Sequence, residues 1–110
     1  GTFDGTGSAI VDSSWFHRSY FYLESNATVT FKGTIVFHPS TSVEMFTGST
    51  IILDGGTFVN PTFIVQQNCS LILNNGAKII YTRHNPNFSL PLGMKLIINE
   101  GEIKYVRDYY

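Results

Sequence analysis

Two stretches decide how this chain folds. Residues 21–37 read FYLESNATVTFKGTIVF, and residues 43–59 read VEMFTGSTIILDGGTFV. Laid one over the other they keep the same cadence: apolar, any, apolar, a short turn, then apolar, any, apolar, a second turn and a third apolar run. FIVQQNCSLILNNGAKII begins a third copy at 63, and FSLPLGMKLII begins a fourth at 88. The copies start at 21, 43, 63 and 88, so the spacing is 22, 20 and 25 residues. Internal periodicity of this length is the signature of a stacked repeat.

The columns carry the argument. Phe21, Val43, Phe63 and Phe88 align, as do Leu23, Met45, Val65 and Leu90. Asn26, Gly48, Asn68 and Gly93 form a turn column. Val29, Ile51, Leu71 and Leu96 follow, with Phe31, Leu53, Leu73 and Ile98 two places on. A second turn column holds Gly33, Gly55, Asn75 and Glu100, and TIVF, GTFV, AKII and EIKYV come after it. Alternation with period two means strands with one buried face. The apolar positions are rich in β-branched and aromatic residues, which suit a pleated surface. Gly and Asn share a corner because both tolerate the left-handed backbone of a sharp turn. No segment shows a period of 3.6.

A unit of this size cannot bury its own apolar face and must stack on its neighbours. The expected fold is therefore all-β, a parallel β-helix of about four to five short coils with three short strands per coil. GSAIV at 7–11 reads as a degenerate first coil. The runner-up is an antiparallel β-sandwich, which gives no reason for columns to keep their residue type from copy to copy. The expected division is 1–20 for an N-terminal cap and degenerate coil, 21–106 for the β-helix, and 107–110 for a C-terminal tail.

Composition narrows the function. At 110 residues the chain is one domain or a piece of a larger one. It begins Gly-Thr-Phe-Asp without an initiator Met, which reads as a processed chain or one cut from a longer chain. Charged residues make up 14%, against roughly 25% in an ordinary soluble domain. Net charge is −1 and the seven Lys and Arg are scattered, so no nucleic-acid interface is expected. The single cysteine, Cys69, allows no intrachain disulfide. No apolar run approaches the roughly 18 residues of a membrane span, no signal peptide is visible, and membrane insertion is not expected.

The cadence NATVTFKGTIVF, GSTIILDGGTFV, NCSLILNNGAKII resembles the short-coil, right-handed parallel β-helix segments of large secreted or surface proteins, notably of gut Bacteroidetes. The likeness spans residues 21–106 and lies in a column pattern rather than a signature residue. It implies a right-handed coil and an extracytoplasmic structural or glycan-contacting module, secreted or displayed on a bacterial surface. Pectate lyases share the architecture with larger coils, but their catalytic constellation has no match in this sequence.

Two stretches interrupt the repeat. DSSWFHRSY at 12–20 holds the one Trp. Solenoid ends expose strand edges and an open core, so Trp15, Phe16 and Tyr20 are expected to support a cap. The sharper reading makes Trp15, Tyr20 and Tyr22 a platform for stacking sugars, since such rings offer flat apolar faces. TRHNPNF at 82–88 lengthens a corner, where Arg83 and His84 are candidates for contact with an anionic ligand. The Asn-Pro pair there echoes VNPTF at 59–63 and reads as corner chemistry.

Catalytic readings are weak. His17, His38 and His84 do not converge on one coil, and zinc needs three or four ligands. Glycoside cleavage needs two carboxylates about 5–10 Å apart; only Glu24 and Glu44 approach one another, and no Arg, Lys or His frames them. Cys69 shares a column with Ala27, Ser49 and Met94 and reads as structural. Three Asn-x-Ser/Thr sequons occur, at Asn26, Asn68 and Asn87, and two fall in the turn column, which explains them by backbone conformation. A regular Thr-x-Thr array, as ice binding would need, is met only at Thr28 and Thr30. No cofactor and no enzymatic activity are expected.

One feature exceeds the bland reading. Thr30, Ile52, Ile72 and Ile97 lie between inward residues and so point outward, which stacks three isoleucines on an outer face. Contiguous exposed apolar surface marks an interface. The tail YVRDYY could fold over it; otherwise it meets another copy or a neighbouring domain. The functional expectation is a non-catalytic extracytoplasmic module presenting a rigid solenoid surface. The alternative is a carbohydrate-binding or carbohydrate-active β-helix using Trp15, Tyr20, Tyr22, Glu24 and Glu44.

Overall fold

The computed structural model describes residues 2–3, 5–16, 21–38, 41–82 and 89–107, with backbone alone at 2–3 and 6–16. Among these there is no helix. The strands are β1 (Thr2–Phe3), β2 (Thr6–Phe16), β3 (Phe21–Leu23), β4 (Thr28–Phe37), β5 (Val43–Met45), β6 (Thr50–Asp54), β7 (Thr57–Val59), β8 (Phe63–Val65), β9 (Cys69–Asn74), β10 (Ala77–Tyr81), β11 (Met94–Ile98) and β12 (Gly101–Tyr105).

Every strand pairing among the described residues is parallel. The chain is thus a parallel β-solenoid of about four turns, and the antiparallel sandwich is excluded. The first face stacks β1, β3, β5 and β8. The second stacks the front of β2 and of β4, then β6, β9 and β11; the third stacks the back of β2 and of β4, then β7, β10 and β12. Strand β4 serves two faces because it runs round a corner. Its Thr28–Phe31 pairs with Thr50–Leu53 of β6, and its Thr34–Val36 pairs with Thr57–Val59 of β7. Gly33, at φ 88°, lies at the bend.

The first coil extends further than its sequence suggested. Strand β2 pairs with β4 from Thr6 to Phe16, with one irregularity between Val11 and Ser14. The backbone of Trp15 and Phe16 therefore belongs to the coil, in register with Val36 and Phe37.

The expected turn column holds at all four positions. Asn26 (φ 63°), Gly48 (φ 80°), Asn68 (φ 58°) and Gly93 (φ 94°) are left-handed, a region open to Gly and, at some cost, to Asn. At Gly93 a side chain is barred twice, because a Cβ there would also run into the Gln66 carbonyl oxygen.

The inward columns make one core. Phe21, Leu23, Val29, Phe31, Ile35, Val43, Met45, Ile51, Leu53, Phe58, Leu71, Leu73 and Ile79 are all buried in it. Four rings cluster at its centre: Phe58 lies 5.0 Å from Phe37, 5.6 Å from Phe31 and 6.4 Å from Phe21, mostly edge to face. Full burial of each such side chain is worth about 1.5–3 kcal/mol.

The fourth copy departs from the pattern on the first face. Residues 89–91 form no strand, and Leu90 is 45% exposed where Leu23 and Met45 are buried. Phe88 lies outside the described residues. The reason is Pro91. In the coils before it, Phe46 N–H bonds the Leu23 carbonyl and Gln66 N–H bonds the Met45 carbonyl. Pro91 occupies the equivalent position and has no N–H to give, so that rung cannot form.

Candidate functional site

The second face presents its outer surface as three columns. In the middle, Thr30 registers with Ile52, Ile52 with Ile72 and Ile72 with Ile97. All four side chains are half-buried, so the isoleucines form a continuous apolar line flanked by polar neighbours. One flank is Thr28, Thr50, Ser70 and Lys95. The other is Lys32, Asp54, Asn74 and Asn99, and it is knitted along the axis. Lys32 Nζ lies 3.8 Å from Asp54 Oδ2, Asn75 Nδ2 donates to Asp54 Oδ1, and Asn99 Nδ2 donates to Asn74 Oδ1 at 2.6 Å. Exposed ion pairs of this kind contribute about 0–1 kcal/mol; the ladder fixes the rim of the surface more than it stabilises the fold.

Of the tail YVRDYY, Val106 packs against Val36, Val59 and Ile80, a second apolar column on the outer surface of the third face; residues 108–110 lie outside the described residues. Val36, Val59 and Ile80 are in register and fully buried although they alternate with the inward Ile35, Phe58 and Ile79. Sequence reasoning missed this column. Its signal was present: Val36, Val59 and Ile80 each adjoin a core residue in an unbroken apolar pair, which marks a strand buried on both sides.

On the first face Tyr22 is the register partner of Glu44, and Glu44 of Ile64. The Tyr22 ring stacks on Phe46, with centroids 6.1 Å apart and planes 16° from parallel. Glu24 is exposed in the turn after β3. Neither Glu24 nor Glu44 forms an ion pair among the described residues. Of the other sugar-stacking candidates, Tyr20 and the Trp15 side chain lie outside the described residues, as do Arg83, His84 and His17. Among the described residues no group of three or more His, Cys, Asp and Glu could hold a metal ion, and no helix is long and apolar enough to cross a membrane.

Cys69 is buried, with its thiol 3.2 Å from the Phe46 carbonyl oxygen and 3.6 Å from the Ser49 hydroxyl. Its column mates Ala27, Ser49 and Met94 are buried too. Beside it a shallow concavity of about 540 Å³ opens between the turns Gln67–Ser70 and Leu92–Lys95. The sequon asparagines Asn26 and Asn68 are exposed and left-handed. Asn87 is outside the described residues.

The Asn-Pro corner has its own chemistry. Asn60 Nδ2 donates to Thr82 Oγ1, and Thr82 N–H donates to Asn60 Oδ1, both at 2.9 Å. The Tyr81 hydroxyl donates to the Pro61 carbonyl at 3.1 Å. Burial pushes the Tyr81 phenol well above its ordinary range.

No protein-family model, no curated protein and no solved structure matches the chain.

Proposed function

We propose that this chain is a non-catalytic structural module whose rigid solenoid wall presents a docking surface, the isoleucine line Ile52, Ile72 and Ile97, to another copy or to a neighbouring domain. The observation that carries the reading is the register of that line: three isoleucines stacked on adjacent parallel strands, half-buried, between two polar columns. Such a surface is fixed by the backbone ladder, so binding costs little further ordering. Its extracytoplasmic setting, secreted or on a bacterial surface, rests on the resemblance of the cadence to Bacteroidetes β-helix segments.

The test is Ile72→Lys, measured by light scattering and thermal melting. A charge in the middle of the line is expected to weaken association by at least tenfold while moving the melting point little, since the side chain already reaches solvent. If mass and melting point both stay the same, the line is neither buried nor a contact.

A second reading is favoured by one observation, the Tyr22–Phe46 stack beside Glu44. Paired rings next to a carboxylate suit a glycan-contacting face. A glycan screen discriminates: binding that persists in Ile72→Lys favours the carbohydrate reading, and none favours the scaffold.

A further inference from the structure

Asn75-Gly76 is the one Asn-Gly pair in the chain. Such a pair cyclises readily, because a glycine puts no side chain in the way of its own nitrogen. The Gly76 nitrogen gives up its proton and attacks Asn75 Cγ. The bond from Cγ to Nδ2 breaks and ammonia leaves, which closes a succinimide ring. Water then opens the ring at one carbonyl or the other and leaves aspartate or isoaspartate at position 75. The reaction needs water and nothing else.

The corner between β9 and β10 holds both reacting groups. Asn75 and Gly76 are exposed there, at φ 57° and 78°. The Gly76 N–H, on the attacking nitrogen, donates to the Glu100 carbonyl at 2.8 Å, one coil on. Asn75 Nδ2, the leaving group, donates to Asp54 Oδ1, one coil back. The nucleophile is thus tied to one neighbouring coil and the leaving group to the other. The preceding coil repeats half of the arrangement. Gly55 follows Asp54, and its N–H donates to the Asn74 carbonyl at 2.8 Å. An Asp-Gly pair closes the same ring with loss of water. At both pairs the attacking nitrogen is spent on a bond to the next coil.

We propose that Asn75 is a site of self-modification gated by the stack. While the coils are closed, Asn75 keeps its amide. When the segment carrying Glu100 lifts, the Gly76 nitrogen is freed and Asn75 converts. The step runs one way, since the ammonia is lost. A donor to Asp54 becomes a second carboxylate facing Asp54, and like charges repel. Isoaspartate also adds a methylene to the main chain between β9 and β10. Either product opposes reclosure, so the corner records that the wall has opened. The proposal stands apart from the isoleucine line, whose contact does not use Asn75.

The experiment is peptide mapping by mass spectrometry at mildly alkaline pH, on the native chain and on the same chain unfolded in guanidinium. The wild type is compared with Asp54→Ala and Lys32→Ala. Two hydrogen bonds must open before the native chain reacts, so conversion at Asn75 is expected to be about tenfold slower than in the unfolded chain, or slower still. Asp54→Ala is expected to speed the native reaction several-fold and to leave the unfolded rate alone. Lys32→Ala removes the ion pair with Asp54 but keeps the bond to Asn75, and is expected to match the wild type. A native rate equal to the unfolded one overturns the proposal. So does an unfolded chain that leaves Asn75 intact, or Lys32→Ala that accelerates as much as Asp54→Ala. Asn75→Asp tests the consequence. It is expected to lower the melting point, and Asp54→Asn added to it is expected to return it. A melting point unmoved by Asn75→Asp, or not rescued by the second change, overturns the opposition to reclosure.

Discussion

Tyr81 is buried with its hydroxyl donating to the Pro61 carbonyl, and this sets a pH dependence. Burial disfavours the phenolate, so the folded pKa is raised. Unfolded, the same group ionises near its ordinary value of about 10. Its contribution to stability is therefore fully present below about pH 10 and is lost as pH rises beyond that, by up to about 1.4 kcal/mol per pH unit. Denaturant melts between neutral and strongly alkaline pH check this, and Tyr81→Phe is expected to flatten the alkaline slope. At this scale the sequence was readable where backbone conformation restricts residue choice. Asn26, Gly48, Asn68 and Gly93 could be aligned because few residues accept φ near +60°. The Asn60–Thr82 pair and the Tyr81 hydroxyl bond could not, since their partners lie about one coil away and nothing in residue type names them.

Strands in this fold are short, and each depends on the rung beside it. The first-face strand of the fourth copy shows the limit. Phe88 and Leu90 kept the apolar pattern, yet one proline removes the N–H that would bond to β8, and Leu90 ends exposed. Pro91→Gln restores that donor. It is expected to raise stability by about 0.5–1.5 kcal/mol, the usual worth of one hydrogen bond, and to slow exchange of the new amide. A fall in stability would mean that the proline is fixing the turn through its own φ rather than interrupting the sheet. The third-face strands teach a complementary lesson. Their burial on both surfaces was written in the adjacent apolar pairs at 35–36, 58–59 and 79–80, but a reading tuned to alternation passes over unbroken runs.

For the whole molecule the column pattern was enough to predict a parallel stack, because only stacking in register explains why residue type recurs at a fixed spacing. It was not enough to predict that Leu90 and Ile98 of the fourth copy stand exposed, because the columns of that copy look like those of the copies before. Coils that touch only their neighbours need not open all at once. Cys69 turns this into a clock. Its thiol is sealed between coils, beside the Phe46 carbonyl and the Ser49 hydroxyl, and a solenoid this small has no other sulfhydryl to confuse the signal. Under native conditions an alkylating reagent can mark the chain only during the moments when the third and fourth coils part. With excess reagent the labelling rate becomes the parting rate itself. A mass spectrometer would then time, in unmodified protein and without denaturant, how often the wall of this scaffold comes unzipped.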